Sequence, residues 1–129
     1  MLFYLRTILV LFFASALLSF AASIDEVVSA INVGDAPRIS KYFDNMVEIS
    51  INEKSHNYSR SQAEMVLRDF FSNQGVKTFK VAHRGSSNES EYCVGSLATV
   101  SGEFRTTIFM KVKGDKKVIN SLKFEASSR

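Results

Sequence analysis

Four polar side chains are the candidates for a ligand pocket in this sequence. His83, Tyr92, Thr106 and Asn120 lie in segments where apolar and polar residues alternate, and each occupies a position of the apolar series. Alternate side chains of a strand share one face. The spacing therefore predicts that these four side chains face the interior, where they could orient a small ligand. For Tyr92 the prediction depends on the register before Gly95, because a glycine there can disturb the alternation. The alternative is that each is a hydrogen-bonded polar group of the core.

The carboxylates of the predicted strands argue against acid–base catalysis. Glu48 and Glu125 alternate with apolar residues and should face water, whereas Glu91 and Glu103 come at strand starts. An isomerase-type mechanism needs a carboxylate in a water-poor pocket that tunes its pKa. A small enzyme that uses His83 as acid or base is therefore the second hypothesis, and we predict no catalytic residue.

Metal and cofactor sites are not predicted either. A metal centre needs three or four clustered ligands, whereas the chain has two histidines far apart, His56 and His83, and one cysteine. No nucleophile-elbow motif occurs. The glycines are single turn or bulge residues, which do not form a phosphate-binding loop. We expect no cofactor.

The opposite face of the predicted sheet carries a second group of candidates. Phe109, Lys111, Ile119 and Lys123 alternate with the inward set and should point outward. These lysines belong to a basic half, because residues 76–129 hold ten basic and five acidic side chains, against five and eight in residues 22–75. Such a face suits an acidic partner or an anionic envelope component. The alternative is a solvated face whose lysines prevent edge aggregation.

The first 22 residues are typical of a secretory signal peptide. Arg6 precedes an apolar run over residues 8–18, and Ser19-Phe20-Ala21 fits a small-x-small cleavage site. The apolar run is nearly long enough for a membrane span, but no stop-transfer charge cluster follows it. We predict a cleaved signal over residues 1–22, after Ala21 or Ala22, and one domain over residues 23–129 with no stable membrane anchor.

The composition of the rest of the chain excludes several classes of function. Without Arg6 the chain keeps 15 basic and 13 acidic residues, too balanced a charge for nucleic-acid binding. Cys93 is the single cysteine, so the chain has no intramolecular disulfide. Because Cys93 lies in an apolar strand pattern, we expect a small buried hydrophobe.

The predicted elements are two helices, a strand with a short return, a long helix and four strands. Asp35 is expected to cap the second helix, and Ser61 with Glu64 forms a capping box for the long helix. Gly75 ends that helix. The long helix carries the strongest periodic signal in the chain, a face made of Ala63, Val66, Leu67, Phe70 and Phe71.

This order of elements predicts an α+β domain. The last four strands are joined by connections too short for a parallel crossover, so they form an antiparallel meander. The N-terminal helices and the long helix should then pack on one face of a curved, mainly antiparallel sheet.

Four stretches of the sequence carry a resemblance to a known family. They read IDEVVSAINVGDAPRISKYF, YSRSQAEMVLRDFFS, FKVAHRGSS and EFRTTIFMKVKGDKKVINSLKFE, and their order and spacing cover nearly all of the domain. The chain resembles the nuclear-transport-factor-2-like (cystatin-like) cone, and within it a family of small exported proteins of unknown function from Bacteroidota-type Gram-negative bacteria. The resemblance implies a fold and an exported location, periplasmic or secreted. It implies no activity.

The functional prediction is an exported, non-catalytic binding or protein-interaction module of the periplasm or envelope. Its partner is an unknown small ligand or protein, and the resemblance favours a homodimer through the sheet. The enzyme hypothesis requires an enclosed pocket at His83. It loses its support if Phe70, Phe71 and Phe124 fill the interior of the cone.

Overall fold

A computed structural model describes residues 23–127 of the chain. The predicted signal peptide and its cleavage site lie outside the described residues. These residues form three helices and six strands, which follow one another in the predicted order. They are α1 over residues 23–32, α2 Ala36–Ser40, β1 Phe43–Ile51, β2 Lys54–Ser59, α3 Arg60–Gln74, β3 Val76–Ser86, β4 Ser90–Thr99, β5 Gly102–Lys113 and β6 Lys116–Ala126.

The six strands form one sheet in the order β2-β1-β6-β5-β4-β3. The predicted meander of β3 to β6 is confirmed, because each strand pairs antiparallel with the next. β1 returns beside β6 in the one parallel pairing of the sheet, which is therefore mixed. The two sheet edges are β2 and β3.

The helix ends follow local hydrogen-bonding rules. The side chain of Asp35 accepts the N–H of Arg38 at 3.1 Å and caps α2, as predicted. The capping box of α3 is not the predicted one. Ser59 is the N-cap and exchanges hydrogen bonds with Gln62, so the N-cap lies two residues before Ser61 and the helix begins at Arg60. This is possible because β2 ends at Ser59, and Ser59 with Gln62 forms the S-x-x-Q version of the capping box.

The core lies between the helices and the inner face of the sheet. The apolar face of α3 is buried as predicted, with Val66 partly buried, and Gly75 ends the helix in the left-handed conformation at φ 73°. α1 runs along β3, where the Asn32 side chain accepts the Thr78 hydroxyl and the Phe79 N–H at 2.9 and 2.8 Å. Arg84 pairs with Asp25 of α1 at 2.7 Å.

Candidate functional site

The interior of the cone is filled with aromatic rings. The ring of Phe70 lies with its centroid 4.6 Å from that of Phe124 and 5.1 Å from that of Phe104. Phe71 packs edge-on against Phe124 at 6.2 Å. These are favourable aromatic geometries. The enzyme hypothesis required an enclosed pocket in this interior, whereas Phe70, Phe71 and Phe124 pack together there.

Thr106 faces this interior, as its place in the alternation predicts. It pairs with Gly95 on one side and with Phe124 on the other, and it is fully buried. Its hydroxyl donates to the carbonyl of Phe104 at 3.2 Å. A buried threonine that bonds its own strand has the hydrogen bond that the core requires.

His83 does not face the interior, and the prediction that placed it there is wrong. The register of β3 against β4 shifts between Val81 and His83, so Ala82 is an extra residue and His83 pairs with Val94. A bulge of one residue moves each following side chain to the other face. His83 is consequently exposed on the outer face, and Arg84 turns inward to α1.

A second bulge overturns the prediction for Ile119. Phe109 pairs with Ser121 but Met110 pairs with Ile119, so Asn120 is the extra residue of β6. Ile119 therefore points into the core, where it is fully buried, and does not belong to the outer face. Asn120 is half-buried at the bulge itself. Alternation along β6 predicted the opposite because it assumes an uninterrupted period of two.

The outer face of the sheet brings Tyr92 and Phe109 side by side. The two residues are cross-strand partners of β4 and β5, and each side chain is 41% exposed. Tyr92 faces outward and not inward as predicted. A Cβ placed on Gly85 would lie 2.2 Å from the Tyr92 ring, so the ring lies directly over the backbone of β3. The structure thus forms an aromatic pair, which we call the outer pair.

The four predicted pocket residues do not come together. Thr106 is buried inside, Asn120 lies at the bulge, and His83 and Tyr92 lie on the outer face. Of the predicted surface residues, Phe109, Lys111 and Lys123 are exposed.

The charges around the outer pair are largely paired within the chain. Lys111 bonds Asp44 at 3.0 Å, and Lys123 bonds Glu125 at 3.2 Å. Lys113 bonds Asp44 as well, at 2.7 Å. The hydrogen bond from Lys113, joined by Lys111, holds the pKa of Asp44 far below its usual range although burial opposes this shift.

Sequence reasoning missed this ion cluster. Asp44 is the second residue of β1 and only 8% exposed. Its lysine partners stand on β5, which is not adjacent to β1 in the sheet. No periodicity of the sequence reports such a contact, because it depends on the order of the strands.

Cys93 is fully buried, as predicted. Burial raises the pKa of its thiol, so the side chain behaves as a small apolar group. Within residues 23–127, no three or more His, Cys, Asp or Glu side chains come together as metal ligands. The described helices also include none with the length and hydropathy of a membrane span.

The fold is that of the predicted cone, as solved structures show. An NTF2-like protein of unknown function from Cytophaga hutchinsonii matches with a TM-score of 0.61 at 9% identity, covering 84% of this chain and 89% of that one. A domain of unknown function with a cystatin-like fold from Nostoc punctiforme matches with a TM-score of 0.66 at 12% identity, covering 84% and 75%. The α+β prediction is confirmed.

A nearer relative identifies the family. A DUF4783 family protein from Bacteroides uniformis is 30% identical with a TM-score of 0.79, and the match covers 81% of this chain and 97% of that one. The family model for the domain of unknown function DUF4783 matches residues 24–125. No curated protein matches the sequence. The predicted resemblance is therefore confirmed, and the chain belongs to the DUF4783 family.

Proposed function

We propose that this protein is an exported, non-catalytic interaction module that pairs with a second copy through the outer face of its sheet. The observation that carries the proposal is the outer pair, Tyr92 and Phe109, exposed beside one another while aromatic rings fill the interior. When aromatic side chains pack the interior of the cone, the outer surface is the place where a partner can bind.

The surroundings of the outer pair resemble the centre of a protein interface. Val94, Thr107 and Ser121 share its face and carry no charge. Charged side chains border this group: Lys111 lies two residues after Phe109 on β5, and Lys123 is the cross-strand partner of Thr107. An uncharged centre with a charged rim is the usual anatomy of a protein–protein interface, and aromatic side chains are enriched among the residues that dominate binding energy.

A second copy suits this face better than an acidic partner. A two-fold interface places the same patch on both sides, and an uncharged centre can meet itself without burying an unpaired charge. The lysines nearest the centre, Lys111 and Lys123, already have carboxylate partners, which reduces their attraction for an acidic protein.

The area of the face is sufficient for a dimer. Strands β3 to β6 are 10 to 12 residues long. Strand dimensions then give a face of about 35 by 19 Å, close to the ~800 Å² per partner of a standard interface.

The sequence of residues 1–22 supports export. Arg6, the apolar run and the small residues up to Ala22 follow the order of a signal peptide. The proposed location is the periplasm or the outside of a Gram-negative cell.

Native mass spectrometry of the protein purified from the envelope fraction of its own cells tests both parts of the proposal. We expect a complex with twice the mass of a chain that begins at Ala22 or Ser23. A chain that retains residues 1–22 would contradict the cleaved signal. A monomer, alone or bound to another protein, would contradict the dimer.

A pair of variants tests the assigned face. Tyr92→Ser with Phe109→Ser is expected to shift the protein to a monomer in sedimentation equilibrium, because both substitutions remove apolar area from the centre. The control is Val33→Ser with Val100→Ser, which removes exposed apolar side chains, 62% and 75% exposed, from outside the sheet strands. The control should remain dimeric. A dimer that survives in the first variant would rule out this face.

A further inference from the structure

We infer that the protein binds a small organic anion in a cavity where the start of β6 meets the chain after α2. The cavity has a volume of about 330 Å³, at the lower end of the range for small-molecule sites. It is lined by Ser23, by Lys41 and Tyr42 after α2, and by residues 115–118. The inference does not depend on dimer formation.

The charge of the lining favours an anion. Three lysines, Lys41, Lys116 and Lys117, line the cavity with a single carboxylate, Asp115. Lys117 also bonds Glu91 at 2.8 Å. Within the described part of the chain, Lys41 and Lys116 have no carboxylate partner, so their ammonium groups are available to a ligand. Ammonium groups bind carboxylates and phosphates by charge-assisted hydrogen bonds.

The remaining wall is apolar and carries one neutral donor. Val118 and Tyr42 also line the cavity. Burial, together with the charge of Glu26, raises the pKa of the Tyr42 hydroxyl, so the hydroxyl stays protonated and can donate to an anion. The wall is held in place because the Tyr42 carbonyl accepts the N–H of Ile119 at 2.6 Å.

The lining therefore selects a ligand with two parts. A carboxylate or phosphate fits the lysines, and a compact apolar group of the same molecule fits Val118 and Tyr42. A bare inorganic ion would leave the apolar wall unused. The chemical class is a small carboxylate or phosphate ester with an apolar portion.

Titration with phenyl phosphate and with benzoate tests this inference on a chain that begins at Ala22. That chain keeps every described core residue, and the match covers 97% of the crystallised Bacteroides uniformis relative. The readout is the movement of the backbone amide signals of Tyr42 and Val118 in ¹H–¹⁵N spectra. Movement with benzoate alone assigns a carboxylate ligand, and movement with phenyl phosphate alone assigns a phosphate. Absence of movement with both would overturn the inference.

Charge variants distinguish ligand binding in the cavity from nonspecific binding to the basic surface. Lys41→Gln with Lys116→Gln should weaken binding by about fivefold for each ammonium group that contacts the ligand, the effect of losing one contact charge in water. Asp115→Asn should act in the opposite direction and tighten binding. Lys54→Gln with Lys80→Gln is the matched control, because both lysines are exposed outside the cavity and the change in net charge is the same. Equal weakening in the control, or an unchanged affinity in the first variant, would show that the cavity is not the site.

Discussion

At the scale of single residues, Asp44 of β1 forms ion pairs with two lysines of β5 across the intervening strand β6. Its carboxylate accepts hydrogen bonds from Lys111 and Lys113 of β5, and the N–H of Asn45 bonds it at 2.8 Å. Bonds to a charged group contribute more to stability than neutral ones. The lysines are half-exposed, so solvent screens part of this gain.

We expect Asp44→Asn to lower the free energy of unfolding at pH 7 by about 1–2 kcal/mol. The folded-state pKa of Asp44 is depressed, so its contribution is complete above the unfolded pKa of about 4 and is lost as the pH falls further. Urea denaturation at pH 7 and at pH 3 measures this difference between the wild type and the variant, which should be smaller at pH 3.

Glu48→Gln is the control for this prediction. Glu48 lies on the same strand and is exposed. Its side chain accepts a hydrogen bond from the Ser121 hydroxyl at 3.4 Å. The control should change stability little at either pH. A difference for Asp44→Asn that stays constant between pH 7 and pH 3 would mean that the ion pairs do not cause the loss.

At the scale of elements, two bulges decide which side chains the outer face presents. The extra residue Ala82 exchanges the faces of the part of β3 that follows it, and the extra residue Asn120 exchanges the faces of the part of β6 that precedes it. His83 thereby leaves the interior and Ile119 enters it. Alternation predicted each strand correctly as a strand. It could not predict these faces because a bulge is fixed by pairing with the neighbouring strand.

The start of α3 gives a prediction at the same scale. Ser59→Ala should cost about 1 kcal/mol of stability, because Ser59 is the N-cap that bonds the N–H of Gln62. Ser61→Ala lies inside the helix and should change stability little, since alanine is the better helix former there. Thermal or urea denaturation of the two variants compares them directly. A larger loss of stability for Ser61→Ala would instead support the capping box of Ser61 and Glu64 that the sequence predicted.

At the scale of the whole molecule, stability depends on the aromatic interior. Phe70→Ala should lower the free energy of unfolding by about 3–5 kcal/mol, since it removes a ring that packs on Phe104 and Phe124 and leaves a cavity. Met65→Ala is the control on the same helix, because Met65 is 61% exposed. It should cost less than about 0.5 kcal/mol. Similar losses in both variants in urea denaturation would contradict the assignment of the core.

The sequence predicted the fold well because its periodic signals are strong. The face of α3, the left-handed end at Gly75 and the alternation in β3 to β6 each follow from local geometry. The candidate site was less predictable. Thr106, Phe109, Lys111 and Lys123 lie on the predicted faces, whereas His83, Tyr92 and Ile119 do not.

What the sequence determined by itself is the set of elements, their order and the α+β class. These depend on hydrophobic period and on helix-end residues, which are local properties of the chain. Only the tertiary structure decided that the interior is filled, that Tyr92 stands beside Phe109, and that Asp44 meets Lys111 and Lys113. Each depends on strand register or strand order, and contacts between distant segments set both.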